Sequence, residues 1–138
     1  MKKTWIVTAI ILLLIVFCVC LWKYKTFRND KLEVMCKSSI SAALENFEQY
    51  DENRKESDYI AGVAEFRTYM TAYLCLKDES NTDYIWCNIL YGDMIINPEK
   101  VKAHIPELRD ALEYLAEDYD HPNGFNLINA LNNPLKTE

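Results

Sequence analysis

The chain is short, and its charge is divided unevenly along its length. It has 138 residues and a net charge of −6, which suits one small domain rather than two. Residues 1–29 carry +5, whereas residues 30–138 hold all 21 acidic residues against 10 Lys and Arg and so carry −11. Such a segment disfavours nucleic acid and anionic lipid headgroups as ligands and favours a basic protein partner. The alternative is that the acidic residues only keep a small helical domain soluble.

The first predicted element is an apolar run of 18 residues from Trp5 to Trp22, preceded by Lys2 and Lys3. As a helix it would be about 27 Å long, close to the thickness of a bilayer core. Its end, VFCVCLW, has no Ala-x-Ala cleavage pattern, and no small residue precedes either cysteine. Trp5 and Trp22 stand where indole rings prefer to lie, at the two membrane interfaces. We therefore predict an uncleaved signal-anchor that remains as a single transmembrane helix.

Two signals give opposite orientations for this anchor. The basic residues after the run outnumber those before it, which favours a cytoplasmic C-terminal domain. The Met-Lys-Lys start followed by an apolar segment favours a cytoplasmic N-terminus instead. The sequence leaves the orientation open at this point. The predicted division of the chain is a basic flank at 1–4, the anchor at 5–22, a juxtamembrane linker at 23–30 and an acidic helical domain at 31–138.

The domain reads as helical throughout, because apolar residues recur at every third or fourth position. The first predicted helix covers 31–50, and the second is capped by Ser57. The third covers 82–91 and stops near Gly92. The fourth starts at Asn97-Pro98-Glu99 and kinks or restarts at Pro106, and the last extends from Asn123 to Pro134. The second helix is expected to turn Ile60, Val63, Phe66, Met70, Tyr73 and Leu74 inward. The predicted fold class is all-α, a single N-terminal transmembrane helix followed by a small bundle of four to five helices.

Gly62 lies inside the second predicted helix. A glycine there costs about 1 kcal/mol relative to alanine, so we predict that another backbone approaches closely at this position.

Three cysteines lie in the domain, and none has metal-site spacing. Cys75 and Cys87 flank a polar stretch between two predicted helices, where a disulfide would form in an oxidising compartment. The alternative is that Cys36, Cys75 and Cys87 are small buried apolar residues. The sequence favours neither interpretation.

The chain offers little that is typical of an enzyme. The two histidines, His104 and His121, lack the further ligands that a metal site needs, so we predict no metal and no cofactor. Asp110, Glu113 and Glu117 follow one helix face opposite a leucine stripe, which indicates a solvated surface. Three glycines in the whole chain cannot build a phosphate-binding loop. We therefore expect a binding protein and not a catalyst.

Two stretches resemble the periplasmic amidase-immunity proteins of type VI secretion, the Tai/Rap type. In SDYIAGVAEF, Tyr59, Ile60, Gly62 and Val63 match the family's Tyr-Ile-x-Gly-Val segment. In LEYLAEDYDHPNGFNLINAL the matching residues are Leu115, His121, Pro122, Ala130 and Leu131. The family usually has a cleavable signal, and a Pro-Asp-Gly-like turn is expected after the second cysteine, where this chain has Asn88-Ile89-Leu90.

The resemblance implies a small helical protein, often dimeric, that blocks the active site of a peptidoglycan-cleaving amidase effector. It also implies a periplasmic domain held at the bacterial inner membrane, where a Cys75–Cys87 disulfide would be favoured. The acidic connection with Asp78, Glu79 and Asp83 is then the expected inhibitory loop. The other interpretation is a bitopic accessory or adaptor subunit of a membrane complex, which would dock a partner through Gly62 and the apolar segment 84–96.

Overall fold

The computed structural model describes residues 2–77 and 80–137, and helices account for nearly all of them. The helices are α1 (Lys2–Asn53), α2 (Glu56–Leu76), α3 (Thr82–Ile96), α4 (Pro98–Ala103), α5 (Ile105–Glu117) and α6 (Pro122–Thr137). No strand occurs in the described ranges. The all-α prediction is confirmed, with one more helix in the domain than the upper estimate because α4 and α5 are separate.

The chain divides into two units, Met1–Lys31 and Leu32–Glu138, one residue beyond the predicted start of the domain. The first unit holds the apolar run, whose most apolar 18-residue window has a mean hydropathy of 2.9 and buries none of its residues in the protein. By length and composition this helix can cross a membrane. The presence of one helix that is long and apolar enough to span a membrane is therefore confirmed. The orientation of this helix and the identity of the membrane stay predictions.

The second unit has a single apolar core to which its helices contribute. Cys36, Ile40 and Phe47 of α1 are fully buried, as the helical period of α1 predicts. From the later helices the largest fully buried side chains are Phe66, Tyr69, Tyr73, Leu90, Met94, Ile105, Leu108, Leu112, Leu115 and Phe125. Burying each such side chain contributes about 1.5–3 kcal/mol, so packing of these faces holds the bundle together.

Helix α2 starts one residue before the predicted cap. Its N-cap is Lys55, and Ser57 lies inside the first turn. The turn before it is set by Arg54, whose φ is 56°, and by the backbone N–H of Lys55, which donates to Asn53 Oδ1 at 2.8 Å. The buried face of α2 begins at Tyr59 and not at the predicted Ile60, which is 60% exposed.

Two predicted helix ends were wrong, and both helices are longer. Helix α3 continues through Gly92 to Ile96 and ends where Asn97 precedes Pro98. Because α3 continues for four residues beyond Gly92, this glycine neither caps nor breaks the helix, and a Cβ at position 92 would meet nothing within 4 Å. Helix α6 starts at Pro122 and continues past Pro134 to Thr137. The predicted restart near Pro106 is confirmed, since α5 begins at Ile105.

Candidate protein-binding groove

Helices α5 and α6 pack closely together near the start of α6. A Cβ at Gly124 would stand 2.6 Å from Leu115 Cγ and 3.0 Å from the carbonyl oxygen of Ala111. Only glycine fits at that position without moving the backbone of α5. The close approach fixes how the outer faces of α5 and α6 meet on the surface of the domain.

A groove lies where these two helices meet. It consists of two adjoining depressions of about 420 and 260 Å³ that share Asp110 and Leu127. The larger one is also lined by Glu113, Tyr114 and Glu117, and the smaller one by His104, Glu107, Ala130 and Leu131. The groove therefore follows the outer face of α5 and is completed by residues of α6. We call it the α5–α6 groove below.

The charge of the α5–α6 groove is negative and largely unpaired. Glu107, Asp110, Glu113 and Glu117 are all exposed. Within the described part of the chain, the carboxylates of Asp110, Glu113 and Glu117 make no ion pair or hydrogen bond, and the Glu107 carboxylate has only His104 Nδ1 at 3.7 Å. Neighbouring carboxylates on one helix face raise the local negative potential, and among the described residues no Lys or Arg side chain forms an ion pair with any of the four.

The basic residue nearest to them in sequence is engaged elsewhere. Arg109 reaches α1, where its Nη1 lies 3.0 Å from Asp51 Oδ2 and its Nη2 lies 3.6 Å from Glu48 Oε1. This pair of contacts ties α5 to α1. It leaves the groove acidic while contributing to the packing of the bundle.

The groove also has apolar and aromatic surface. Leu127 is half-buried in its wall, and Tyr114 is 39% exposed. The Tyr114 ring lies 5.0 Å, centroid to centroid, from the His121 ring. Accessible aromatic and aliphatic side chains within a polar rim are typical of surfaces that bind proteins. The arrangement can therefore bind a segment that combines positive charge with apolar side chains.

The expected inhibitory loop is only partly visible in the structure. Asp78 and Glu79 lie outside the described residues. Asp83 is half-buried in the first turn of α3, so it is not a freely solvated loop residue. Burial raises the pKa of its carboxyl, and the nearby charge of Asp120 adds to the rise while Lys77 opposes it.

Asp120 is itself held in a polar network between α2 and the turn before α6. It accepts hydrogen bonds from Tyr73 Oη and from Lys77 Nζ, both at 2.7 Å. Tyr69 Oη donates to the carbonyl oxygen of Tyr119 at 2.8 Å. Burial, together with the hydrogen bond to Asp120, raises the pKa of Tyr73, so its hydroxyl stays a donor. This network stabilises the end of the bundle at which Asp83 lies.

The predicted disulfide is not present in the structure. Cys75 is exposed and Cys87 is buried, and both are free thiols. Cys75 instead lies near enough to Cys36 to act on it electrostatically, and burial is the main cause that raises the pKa of Cys36 to about 12. Helical geometry explains the difference, since Cys87 is directed into the core while Cys75 is on the outer face of α2.

The structure also describes the surroundings of Gly62 and of the two tryptophans of the anchor. The close packing predicted at Gly62 is present, but the prediction of a backbone neighbour was wrong: the three atoms nearest to an added Cβ, at 2.9–3.0 Å, all belong to the Phe47 ring of α1. Trp5 and Trp22 are 78% and 68% exposed at the two ends of the apolar run. Because Gly62 is buried inside the bundle, it is not accessible to a separate partner.

A second surface is apolar rather than charged. Ile60, Ile95 and Ile96 are 60%, 55% and 76% exposed, and a depression of about 290 Å³ beside them is lined by residues of α2, α3 and α4. The Tyr59 hydroxyl donates to the carbonyl oxygen of Met94 at 3.0 Å and holds α2 against α3 below this surface. We call these three residues the isoleucine patch.

No group of three or more His, Cys, Asp or Glu side chains that could hold a metal occurs among the described residues.

Sequence reasoning assigned Asp110, Glu113 and Glu117 to a solvated face and missed the α5–α6 groove, because only the packing of α6 brings Leu127 beside them. Comparison with protein-family models, with curated proteins and with solved structures finds no match to this chain.

Proposed function

We propose that this chain is a membrane-anchored immunity protein that binds and neutralises a secreted cell-wall amidase in the periplasm. The observation that carries the proposal is the α5–α6 groove, whose unpaired carboxylates border apolar surface on a domain of strongly negative charge. Such a surface is suited to the basic rim of a partner, and opposite charges speed the encounter of two proteins. The short segments that resemble amidase-immunity proteins support the same function.

The anchor fits this role if its N-terminus is in the cytoplasm and the domain is in the periplasm. A domain tethered at the outer face of the inner membrane would meet an incoming wall-cleaving enzyme before that enzyme reaches much of its substrate. Tethering also keeps the inhibitor from diffusing out of the cell envelope. The acidic domain would stand away from anionic lipid, with its binding surfaces open to solvent.

Topology is the first requirement to test. Alkaline phosphatase is active only outside the cytoplasm, so we would fuse it after Glu138 and compare it with a fluorescent protein at the same position. The proposal requires phosphatase activity without fluorescence. Fluorescence without phosphatase activity would place the domain in the cytoplasm and would contradict the proposal.

The isoleucine patch favours a second candidate function, a bitopic adaptor subunit of a membrane complex. Three exposed isoleucines on neighbouring helices are a surface that an apolar partner would cover. Under this function, Ile95→Asp with Ile96→Asp should release a co-purifying membrane protein. Val34→Asp with Met35→Asp, on α1 and 67% and 40% exposed, is the matched control outside the segment 84–96. Loss of the co-purifying protein with both variants, or with neither, would contradict the adaptor function.

A further inference from the structure

We infer that the α5–α6 groove binds an amphipathic α-helix of the partner that carries Lys or Arg at positions three or four residues apart. The inference rests on the proposed function in one respect, that the chain's partner is a protein. It adds the secondary structure, the charge and the spacing of the segment that is bound.

The spacing of the acidic residues carries the argument for a helix. Glu107, Asp110, Glu113 and Glu117 succeed one another at intervals of three, three and four residues along α5. At a rise of about 1.5 Å per residue they are about 4.5–6 Å apart along the helix axis. A partner helix with basic residues at i, i+3, i+6 and i+10 repeats the same intervals of three, three and four residues. An extended strand repeats one face about every 6.7 Å and would lose register after the first pair.

The apolar side of the groove argues for an amphipathic helix rather than a simple polycation. Leu127 and Ala130 of α6 lie alongside the carboxylates of α5. A helix seated in the groove would place its basic residues over α5 and small apolar residues over α6. The long stems of Lys and Arg would also cover the exposed part of Tyr114, since such stems pack on apolar surface while their charged ends remain solvated. Binding of an amphipathic helix in a groove is a common mode of protein recognition.

The same charges exclude other occupants. A second copy of this chain would bring the same four carboxylates against these four, and like charges across an interface oppose association. Anionic lipid and nucleic acid are repelled for the same reason.

Peptide binding to the full-length chain tests the inference. The chain would be held in nanodiscs of phosphatidylcholine, which has no net charge. The probe is a fluorescent synthetic helix with Lys at i, i+3, i+6 and i+10 and Leu and Ala on the adjoining face, and its binding is measured by fluorescence anisotropy. A control peptide has the same composition with its Lys residues distributed around the helix. We expect the first peptide to bind and the control peptide to bind at least tenfold more weakly.

Charge-neutral variants then locate the binding site. Asp110→Asn, Glu113→Gln and Glu117→Gln together should weaken binding about tenfold, as the loss of three exposed ion pairs implies. The matched control removes three carboxylates from α1 and α2 by Glu45→Gln, Glu52→Gln and Glu65→Gln, and should change binding less than twofold. Equal weakening by both triple variants would show attraction by net charge alone and would overturn the inference. Equal binding of the two peptides, or no binding, would also overturn it.

The outcome separates this inference from the proposed function. A chain that binds the peptide through the groove but does not protect cells from an amidase would retain the groove inference and contradict the function. A groove triple variant that protects cells as well as the wild type would contradict the groove inference and retain the function.

Discussion

Gly124 lies so close to Leu115 that a Cβ at position 124 would stand 2.6 Å from Leu115 Cγ. The contact brings the start of α6 against the middle of α5 and determines how the α5–α6 groove is formed. It also makes position 124 the most sensitive glycine of the three in the chain, since the carbonyl oxygen of Ala111, which would be 3.0 Å from the Cβ, belongs to the backbone of α5.

Gly124→Ala should therefore destabilise the domain by about 1–3 kcal/mol, the usual cost of extra volume in a well-packed interface. Gly92→Ala is the matched control, since its Cβ would meet nothing within 4 Å. It should be neutral or stabilise by up to about 1 kcal/mol, because alanine has the higher helix propensity. Denaturant unfolding followed by circular dichroism of the full-length chain in detergent measures both. Equal stability of the two variants would contradict the packing described at Gly124.

Thiol labelling should distinguish the three cysteines of the domain. Cys75 is exposed and should react with a water-soluble maleimide in the native protein. Cys36 and Cys87 are buried, and burial raises the pKa of both thiols, so few thiolates are present to react until denaturant is added. Mass spectrometry of the labelled peptides measures this order. A Cys75 that reacts only after reduction would instead indicate a disulfide, which is one of the two alternatives that the sequence left open.

The pH dependence of stability should show the effect of Asp83. Burial and Asp120 raise the pKa of Asp83, so the folded state holds this proton more tightly than the unfolded chain does. The contribution to stability is then complete below the unfolded pKa of about 4 and is lost as the pH rises through the folded pKa. Asp83→Asn removes this loss, so its melting temperature relative to the wild type should increase from pH 4 to pH 7.

Glu52→Gln is the control for this experiment, because it removes one exposed carboxylate of α1. An increase shared by both variants would reflect net charge and not the surroundings of Asp83. A melting-temperature difference for Asp83→Asn that falls as the pH rises would contradict the sign given above.

The helical period predicted the parts of the fold where it was unambiguous. In α5 the leucine stripe predicted opposite the acidic residues, which consists of Leu108, Leu112 and Leu115, is fully buried. In α3 the sequence is apolar on all sides, and no period could show that Leu90 and Met94 enter the core while Ile95 and Ile96 stay exposed. The predicted end at Gly92 failed because packing of α3 against its neighbours outweighs the low helix propensity of one glycine.

The α5–α6 groove could not be predicted from the sequence for a different reason. The acidic residues of α5 were visible, but a solvated helix face and the rim of a groove have the same pattern. The difference depends on Leu127 and Ala130, which come from the next helix and meet α5 only in the folded chain. A contact between side chains of two different helices leaves no pattern in the local sequence of either helix.

Coupling between Arg109 and Asp51 should contribute modestly to stability. The pair joins α5 to α1 at 3.0 Å and is partly exposed to solvent, so a double-mutant cycle of Arg109→Gln and Asp51→Asn should give about 0.2–1 kcal/mol. The coupling should decrease at 1 M salt. Coupling that is zero at low salt would show that the ion pair does not help to hold α1 and α5 together.

Protection of cells from an exported amidase tests the proposed function most directly. The proposed function requires that a wall-cleaving amidase is encoded beside the gene for this chain. The full-length chain would be co-expressed with that amidase directed to the periplasm, with a catalytically inactive amidase as the control for toxicity. We expect the chain to restore growth and the groove triple variant, at equal abundance in the membrane, to restore it less well. Lysis at the same rate with and without the membrane-located chain would contradict the function proposed for this protein.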